Sequence, residues 1–183
     1  VEPRGVPTHE VQGVTLVIEN PRDALPFGTN RDLHTAIGVA EAAQMIGGVS
    51  APKLLQRITP TFGTFRDAGV MHGAYGLRLR PQLGRVPDIL KKDPDSRQCV
   101  LTIWDPAYDL GARVKDLPCT VMMQFLIRKD ELHMHVTMRS NDVWLGLPYD
   151  VFQFTQVQLA LCNVMVMRPG KYYHHVVSMH AYD

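Results

Sequence analysis

Two strand-like runs separated by only two residues constrain the fold of this chain more than any other feature. The runs are 119-CTVMMQFLIR-128 and 131-ELHMHVTM-138, and Lys129-Asp130 lies between them. A connection of two residues is typical of a tight antiparallel turn. The sequence therefore predicts a β-hairpin over residues 119–138, and the rest of the fold has to accommodate it.

The remaining chain predicts both strands and helices. Further strands are predicted at 10–20, 98–104 and 171–180. Helices are predicted at 29–48, which a Gly-Gly pair stops, at 86–93, and at 148–167, an apolar run that begins with proline and that Arg168-Pro169-Gly170 ends. These elements do not alternate strictly, so the fold class is predicted to be α+β, a single domain over residues 1–183 with a mixed sheet and packed helices.

Composition excludes several classes of function. The chain has 183 residues, 45% hydrophobic residues and a net charge of +1, which argues against a nucleic-acid groove. Three cysteines without a CxxC pair disfavour a disulfide framework and a zinc site, so no metal is expected. No run resembles a signal peptide or is long enough to span a membrane, so we expect a cytoplasmic protein that binds no membrane.

Short polar clusters interrupt the apolar chain, and each has an ordinary structural explanation. A terminal arginine is usually solvated, Asp-Pro-Asp-Ser is a good turn sequence, and a cysteine after proline is more often packing than chemistry. The clusters are 3-PRG-5, Glu41, 75-YG-76, 93-DPDSR-97, Cys119, 139-RSND-142, 146-GLPYD-150 and 180-HAY-182.

Taken together, these clusters resemble the thymidylate synthase superfamily. The best-matched stretch is 118-PCTVMMQFLIRKDELHMHVTMRSNDVWLGLPYD-150, beside the family pattern of P-C, then Q-F, then R-S-x-D-x-x-L-G-x-P-aromatic. The register continues without a gap to 180-HAY-182, where the family has H-x-Y. The resemblance covers nearly the whole chain and is loose between about residues 49 and 85. It implies a thymidylate synthase-like fold.

The resemblance also assigns catalytic roles. Cys119 is implied to be the nucleophile that adds to C6 of a pyrimidine nucleoside monophosphate, which makes C5 nucleophilic. Glu41 is implied to be the acid–base group, and Tyr75 matches a tyrosine implicated in proton removal at C5. The implied one-carbon donor is 5,10-methylenetetrahydrofolate. Asp142 and Gly146 fall on the same motif and are expected to contribute to substrate binding.

Substrate-binding residues follow from the same match. Phosphate ligands, for which guanidinium groups are well suited, are implied at Arg4, Arg139 and Ser140. Arg97 matches an arginine that the family donates from the second subunit, so a homodimer is expected; the family usually has two adjacent arginines here, and this chain has Arg97-Gln98. His180 and Tyr182 match residues that bind the sugar hydroxyl.

Asp150 departs from thymidylate synthases, which carry asparagine at this position. Asparagine complements the N3–H donor and O4 acceptor of uracil, whereas cytosine inverts both groups. A carboxyl group that shares one proton with cytosine satisfies the inverted pattern. In this respect the chain resembles the deoxycytidylate and cytidylate 5-hydroxymethylase branch of the superfamily. The alternative is that Asp150 is only a favourable residue in the first turn of a helix.

Two other departures concern the one-carbon chemistry. Asp116 stands where family synthases have an apolar residue, and a polar group there is expected to admit water and favour a hydroxymethyl over a methyl product. The chain stops at Asp183, short of the family's C-terminal tail, so weak folate binding is expected. The alternatives are a methylating enzyme on dUMP and a nucleotide-binding homologue without folate turnover.

Adjacent histidines occur in the last predicted strand. His174 and His175 are expected to point to opposite faces of the sheet, because successive strand residues do so. His133 and His135 are expected to share one face, and without a carboxylate or cysteine nearby in the sequence they are interpreted as structural or solvated rather than metal-binding.

Overall fold

The predicted hairpin is present, and its strands are neighbours in a five-stranded sheet. The structure is a computed structural model that describes residues 1–24, 33–60 and 71–183. Lys129 and Asp130 have φ angles of 53° and 59°, and a type I′ turn requires positive φ at both central residues. This turn pairs Arg128 with Glu131 and sets the register of the hairpin.

The sheet has mixed topology. Its strands are β1 (Thr8–Ile18), β2 (Val100–Thr102), β3 (Thr120–Arg128), β4 (Glu131–Asp142) and β5 (Arg168–Tyr182). They lie in the order β1-β5-β4-β3-β2. All neighbouring strands are antiparallel except β4 and β5, which are parallel. The mixed sheet and its helices confirm the predicted α+β class.

Six α-helices lie in the described part of the chain. They are α1 (Thr35–Gly47), α2 (Pro52–Ile58), α3 (Tyr75–Leu83), α4 (Val86–Lys92), α5 (Pro106–Asp109) and α6 (Leu147–Met165). Short 3-10 turns occupy Pro3–Gly5 and Pro21–Asp23. The predicted helices at 86–93 and 148–167 are confirmed. That at 29–48 is confirmed from Thr35 to its glycine stop, and its residues 29–32 lie outside the described residues.

Helix α6 connects the two parallel strands and fills the core beneath them. Its buried side chains include Val151, Phe154, Val157 and Leu161, which have the i, i+3 and i, i+4 spacing of a helix face that packs on a sheet. The helix ends at Val166 in the left-handed conformation. Among the described helices, α6 included, none is long and apolar enough to cross a lipid bilayer.

Three predicted boundaries were wrong. Arg168-Pro169-Gly170 does not separate α6 from a strand but forms the start of β5. The strand predicted at 98–104 is only Val100–Thr102, because the backbone N–H groups of Ile103 and Trp104 both bond to Val121 O and the chain then turns into α5. Strand β1 begins and ends two residues earlier than predicted.

The inward-outward alternation of side chains changes phase at one point in each of the three adjacent strands β3, β4 and β5. At these points two buried residues lie three positions apart instead of two. The pairs are Thr120 and Met123, Met138 and Asn141, and Val176 and Met179. A shift in the β3–β4 register between Thr120 and Met122 marks a bulge at the same level. The consecutive residues 139–142 therefore all reach one pocket.

A buried carboxylate holds the start of α3 in place. Asp109 is 1% exposed and accepts hydrogen bonds from both Arg78 guanidinium nitrogens, at 2.6 and 2.8 Å, and from His72 at 2.7 Å. These hydrogen bonds, chiefly from Arg78, hold the pKa of Asp109 well below its usual range. Arg78 also donates to the carbonyl of Ile103. This network fixes the segment that presents Tyr75.

Helices α1 and α3 approach each other so closely that only glycine fits between them. A Cβ atom on Gly76 would lie 2.3 Å from the carbonyl oxygen of Val49 and 2.4 Å from that of Gln44. Both obstacles are backbone atoms, which cannot rotate away. By contrast, Gly84, which caps the end of α3 with a φ of −64°, has open space around it.

We predict that Gly76→Ala lowers the free energy of unfolding by about 2–4 kcal/mol, because overpacking forces the two helices apart. Gly84→Ala is the matched control and should change stability by less than about 0.5 kcal/mol. Urea denaturation of both variants measures the difference. Equal stability of the two variants would show that α1 and α3 separate without strain.

Candidate active site

A pocket of about 900 Å³ lies where β3, β4 and β5 change phase, and α1 and α3 form its opposite wall. Its lining includes most of the predicted site residues: Glu41, Tyr75, Cys119, Arg139, Ser140, Asp142, Gly146, Asp150, His180 and Tyr182. They come from six separate parts of the chain. The volume is within the range of small-molecule binding sites.

Cys119 lies immediately before β3, beside Arg139 on β4. The backbone N–H of Arg139 donates to the carbonyl of Cys119 at 2.8 Å. The guanidinium group donates to the carbonyls of Pro118 and Leu117, at 2.9 and 3.2 Å, and lies over the Trp104 ring, 5.6 Å from its centroid. A permanent positive charge is therefore fixed against the segment that presents the thiol.

Tyr75 begins α3 and reaches the first residue of β3. The backbone N–H of Thr120 donates to the Tyr75 hydroxyl at 3.2 Å, and the Tyr75 ring stacks on Phe154. Burial, with Asp150 and Cys119 nearby, raises the pKa of Tyr75 well above its usual range. The phenol therefore keeps its proton at neutral pH and can donate it in a hydrogen bond to a ligand or a water molecule.

Asp150 is in the first turn of α6, and two side-chain amides hold its carboxyl group. Asn141 donates to Oδ2 at 2.7 Å, and Gln153 donates to Oδ1 at 2.8 Å. Burial raises the pKa of Asp150 to about 7, although both hydrogen bonds lower it. The carboxyl group can therefore hold or release a proton near neutral pH.

Glu41 projects from α1 into the same pocket. Burial, together with the nearby carboxyl group of Asp150, raises the pKa of Glu41 to about 8. Two acidic groups that cannot both ionise without repulsion have pKa values that belong partly to the pair. Near neutral pH the pocket therefore retains protons that it can exchange with a ligand.

Ser140, His180 and Tyr182 form a polar edge at the ends of β4 and β5. The Ser140 hydroxyl lies 3.3 Å from Nδ1 of His180, and the rings of His180 and Tyr182 meet edge to face at 5.2 Å. Next to them, the Ser178 hydroxyl donates to the carboxylate of Glu10. This edge offers several hydrogen-bonding groups to a ligand.

Asp142 and Gly146 shape the turn between β4 and α6. Oδ1 of Asp142 accepts the backbone N–H groups of Trp144 and Leu145. Its Oδ2 atom is buried and has no hydrogen-bond partner among the described residues. A Cβ atom on Gly146 would lie 3.1 Å from Nδ2 of Asn141 and would crowd the bond to Asp150.

Two predicted phosphate ligands are not placed in the pocket by the structure. Arg97 is exposed and does not line the pocket of its own chain. Arg4 belongs to the 3-10 turn Pro3–Gly5, and its side chain lies outside the described residues. The neighbouring Val1 and Pro3 do line the pocket. Both assignments stay predictions.

Sequence reasoning missed two pocket residues that hold Asp150. Asn141 lies within the quoted RSND motif, and Gln153 lies three residues after Asp150 on the same helix. The i, i+3 spacing of Gln153 could have indicated its contact. Asn141 could not be assigned from the sequence, because strict alternation along β4 would point its side chain to the sheet face away from the core.

The segment around Asp116 also lines the pocket. Its Oδ2 atom accepts the backbone N–H of Gly73 at 2.9 Å, and a Cβ atom on Gly73 would meet Asp116 at 3.0 Å. The Asp116 side chain therefore lies in the pocket wall, at the position where family synthases have an apolar residue. Among the described residues, no group of three or more His, Cys, Asp or Glu side chains is arranged to hold a metal ion.

We predict that Glu41→Gln gains stability over the wild type as the pH rises. The folded protein raises the Glu41 pKa from 4.5 to about 8, so the folded state binds more protons than the unfolded state between these values. The stability contributed by the neutral carboxyl is complete below pH 4.5 and is lost as the pH approaches 8. Glutamine stays neutral, so the difference in unfolding free energy should grow by roughly 1–3 kcal/mol between pH 5 and pH 8.

Urea denaturation at several pH values measures this difference. Glu2→Gln, which changes an exposed carboxylate, is the control, and its difference from the wild type should stay constant. A constant difference for Glu41→Gln as well would mean that the Glu41 carboxyl ionises without strain in the pocket.

Comparison with known proteins places this geometry in a family. The family model "Thymidylate synthase" matches residues 2–183. A deoxyuridylate hydroxymethyltransferase of Bacillus phage SP01 is 31% identical over 98% of this chain and 52% of its own length. A deoxyuridylate hydroxymethyltransferase of Pseudomonas phage M6 is 32% identical over 93% of this chain and 51% of its own length. The chain therefore spans about half the length of the curated relatives it matches.

The fold agrees with these sequence matches. The thermostable thymidylate synthase A from Bacillus subtilis superimposes with a TM-score of 0.78 and 25% identity, over 96% of this chain and 66% of the other. The predicted thymidylate synthase-like fold is thus confirmed. Because the family model covers nearly every residue and the fold superimposes on that of a thymidylate synthase, this chain belongs to the thymidylate synthase family.

Proposed function

We propose that this chain forms the active site of a C5 hydroxymethyltransferase for pyrimidine nucleoside monophosphates, with a preference for cytosine. The observation that carries this proposal is the Asp150 carboxyl group, held by Asn141 and Gln153 in the pocket that also contains Cys119. A carboxyl with a pKa near neutrality can share a proton with the base. The type of reaction is inferred from the family, and the preferred base is inferred from the Asp150 carboxyl group.

Cys119 is the proposed nucleophile. Its thiolate forms a bond to C6 of the base, and the electron pair moves to C5, which then attacks a one-carbon unit. The C5 proton then leaves, and the carbon–nitrogen bond between the one-carbon unit and its folate carrier would break. Water adds to the new carbon as the Cys119–C6 bond breaks, which releases the 5-hydroxymethyl nucleotide and the free thiolate. The guanidinium group of Arg139, which is held against Leu117 and Pro118, is proposed to favour the thiolate that starts this sequence.

A folate fits the pocket by its chemistry. 5,10-Methylenetetrahydrofolate would supply the one-carbon unit. Met45 of α1, Val49 between the helices and Leu55 of α2 line one wall, and these apolar side chains suit a flat ring. The unpartnered Oδ2 atom of Asp142 suits the N–H donors of a pterin, because a buried carboxylate oxygen without a donor is unfavourable.

The pocket edge suits the phosphate and sugar. Arg139 and Ser140 are adjacent on β4 and both line the pocket; guanidinium and hydroxyl groups donate to phosphate oxygens. His180 and Tyr182 on β5 face the same space and are proposed to bind the sugar hydroxyl. The proposed contribution of Arg4 extends this edge from the 3-10 turn beside it.

Asp150 is proposed to favour cytosine because the ring nitrogen N3 of cytosine is basic. A neutral carboxyl group can pair with either base, but it must give its proton to N3 of cytosine or to O4 of uracil. N3 is much the better proton acceptor, and a proton on N3 also draws electrons from C6, which assists thiolate addition. Asparagine at this position cannot transfer a proton to the base. Its amide N–H donates to O4 of uracil and its carbonyl accepts from N3–H.

Glu41 and Tyr75 are proposed to manage protons and water at C5. Glu41 holds a proton near neutral pH, so it can donate to or accept from an ordered water. Tyr75 keeps its proton, which favours a role in orienting a water over direct removal of the C5 proton. Asp116 at the wall favours water near the new carbon.

A second candidate is the same reaction on dUMP. The two phage relatives are both named deoxyuridylate hydroxymethyltransferases, and this name favours uracil. The two candidates share Cys119 and differ in what Asp150 recognises. Methylation of dUMP and nucleotide binding without folate turnover remain the further outcomes of the test.

The proposed function is tested by mass spectrometry of products from dCMP, CMP and dUMP, each with methylenetetrahydrofolate. We expect a 5-hydroxymethyl product from a cytosine nucleotide and none from Cys119→Ala. Asp150→Asn should reduce cytosine turnover and improve dUMP turnover, because two inverted hydrogen-bonding groups together give on the order of a hundredfold discrimination.

Each alternative has its own outcome in this experiment. A hydroxymethyl product from dUMP alone supports the second candidate, and a methyl product contradicts hydroxymethylation. Nucleotide binding without any product indicates a protein that kept only the pyrimidine site. Equal turnover of cytosine and uracil nucleotides by the wild type would remove the proposed role of Asp150.

We also propose a homodimer with shared sites. Arg97 is exposed and lies outside the pocket of its own chain, as an arginine donated to a second subunit would. The sheet face opposite the core carries the stacked rings of His135, Tyr173 and His175 and the exposed Val177. Such a surface is typical of an interface.

Mixed dimers test this proposal. A dimer of one Arg97→Ala subunit and one Cys119→Ala subunit has one site with both groups intact, so it should recover about half of the wild-type activity. The matched control combines Arg139→Ala with Cys119→Ala; both residues belong to one site of the same chain, so activity should not recover. No recovery in the first mixture, with the mixed dimer shown to form, would indicate self-contained sites.

A further inference from the structure

A continuous chain of hydrogen bonds connects Asp150 to the interior of the protein. The Tyr172 hydroxyl lies 2.6 Å from Nδ1 of His174. Nε2 of His174 lies 2.8 Å from Oδ1 of Asn141, and Nδ2 of Asn141 donates to Asp150 at 2.7 Å. Tyr172 and His174 are fully buried, Asn141 is 3% exposed, and neither Tyr172 nor His174 lines the pocket.

The direction of donation along this chain is fixed by the groups themselves. Asn141 uses its amide N–H on Asp150, so its carbonyl must accept from His174 Nε2–H. Burial lowers the pKa of His174 to about 4, so the ring is neutral and its Nδ1 is an acceptor. Tyr172 therefore donates its hydroxyl proton to Nδ1.

The opposite direction would leave a buried donor unsatisfied. If His174 carried its proton on Nδ1 and donated to Tyr172, the Tyr172 O–H would need another acceptor. Within the described residues no other acceptor lies within hydrogen-bond distance of that hydroxyl. A buried donor without an acceptor is strongly disfavoured, so the single proton of Tyr172 sets the direction of the whole chain.

We propose that Tyr172, His174 and Asn141 are positioning residues that keep an N–H group directed at Asp150, so that the carboxyl proton is left for the substrate. Both described partners of Asp150, Asn141 and Gln153, are donors. Neither can accept the carboxyl proton. In the reversed chain the Asn141 oxygen would face Asp150 and take that proton away from the base.

This inference rests on the proposed function only where it concerns the base; the effect on the carboxyl group exists without a ligand. Asn141 donation stabilises the ionised form of Asp150 and offsets part of the effect of burial. The other titratable or charged groups that line the pocket are the amino group of Val1, Glu10, Glu41, Tyr75, Asp116, Cys119, Arg139, Asp142, His180 and Tyr182. Substitution of Tyr172 leaves all of them in place.

The test compares two tyrosines that are neighbours on β5. Tyr172→Phe removes the hydroxyl that sets the direction, whereas Tyr173→Phe removes a hydroxyl from the opposite face of the same strand, where the ring stacks on His135. Asn141→Leu removes the donor itself and serves as the second variant. Carbon-13 NMR follows the titration of the Asp150 carboxyl, and nitrogen-15 NMR identifies the His174 tautomer, both without ligand.

We expect Tyr172→Phe to give a mixture of His174 tautomers and to raise the titration midpoint of Asp150 by about 0.5–1 pH unit, with a larger rise in Asn141→Leu. Tyr173→Phe should match the wild type in the His174 tautomer and in the Asp150 midpoint. The ratio of dCMP to dUMP affinity should fall at least about threefold in Tyr172→Phe. A purely structural role for Tyr172 would lower stability without moving the tautomer or the midpoint.

The inference is overturned if Tyr172→Phe keeps one His174 tautomer and an Asp150 midpoint within about 0.2 pH unit of the wild type. It stands, and the proposed function fails instead, if tautomer and midpoint move as expected while the wild type binds neither dCMP nor dUMP. The ligand-free measurements thereby separate the two results.

Discussion

The two amide groups that donate to the Asp150 carboxyl join the sheet, the longest helix and the pocket at one point. Asn141 comes from β4 and Gln153 from α6, so the bonds hold the helix against the strand that precedes it. Gly146 leaves the space that this contact requires. Burial raises the pKa of this carboxyl group and the two hydrogen bonds lower it, so the pKa lies near 7. The proposed recognition of the base depends on these two opposing effects.

The phase change shared by β3, β4 and β5 is what allows this contact to form. In a regular strand, residues 139–142 would alternate between the core and the opposite face. Because the alternation shifts at Arg139 and Ser140, Asn141 is buried at 3% exposure while its neighbours also line the pocket. The same shift places Cys119 against the backbone of Arg139. A local irregularity in the sheet thus creates the site.

Much of this arrangement could be predicted from the sequence, because it depends on strong local signals. The two-residue turn at Lys129-Asp130, the long apolar run of α6 and the opposite faces of His174 and His175 were all predicted, and His174 is buried while His175 bonds to Thr15 on the other face. Family resemblance brought Cys119 and Asp150 into one pocket, which the structure reproduces.

The remainder depends on tertiary contacts that no local pattern records. Helices α2 and α5 have only 7 and 4 residues, and α3 contains Pro81, so neither periodicity nor propensity indicated them. The partnership of Asn141 with His174 joins residues 33 positions apart, and strict alternation would have placed Asn141 on the wrong face. Tertiary packing determines the short helices and the contact between Asn141 and His174, and neither periodicity nor residue propensity predicts them.

Nitrogen-15 NMR of labelled dCMP bound to the protein tests most directly whether Asp150 shares a proton with the base. The account predicts that N3 of the bound cytosine at neutral pH is shifted toward its protonated position, with an exchange-protected proton between N3 and Asp150. An N3 resonance at the position of the free nucleotide, together with an ionised Asp150, would contradict the account.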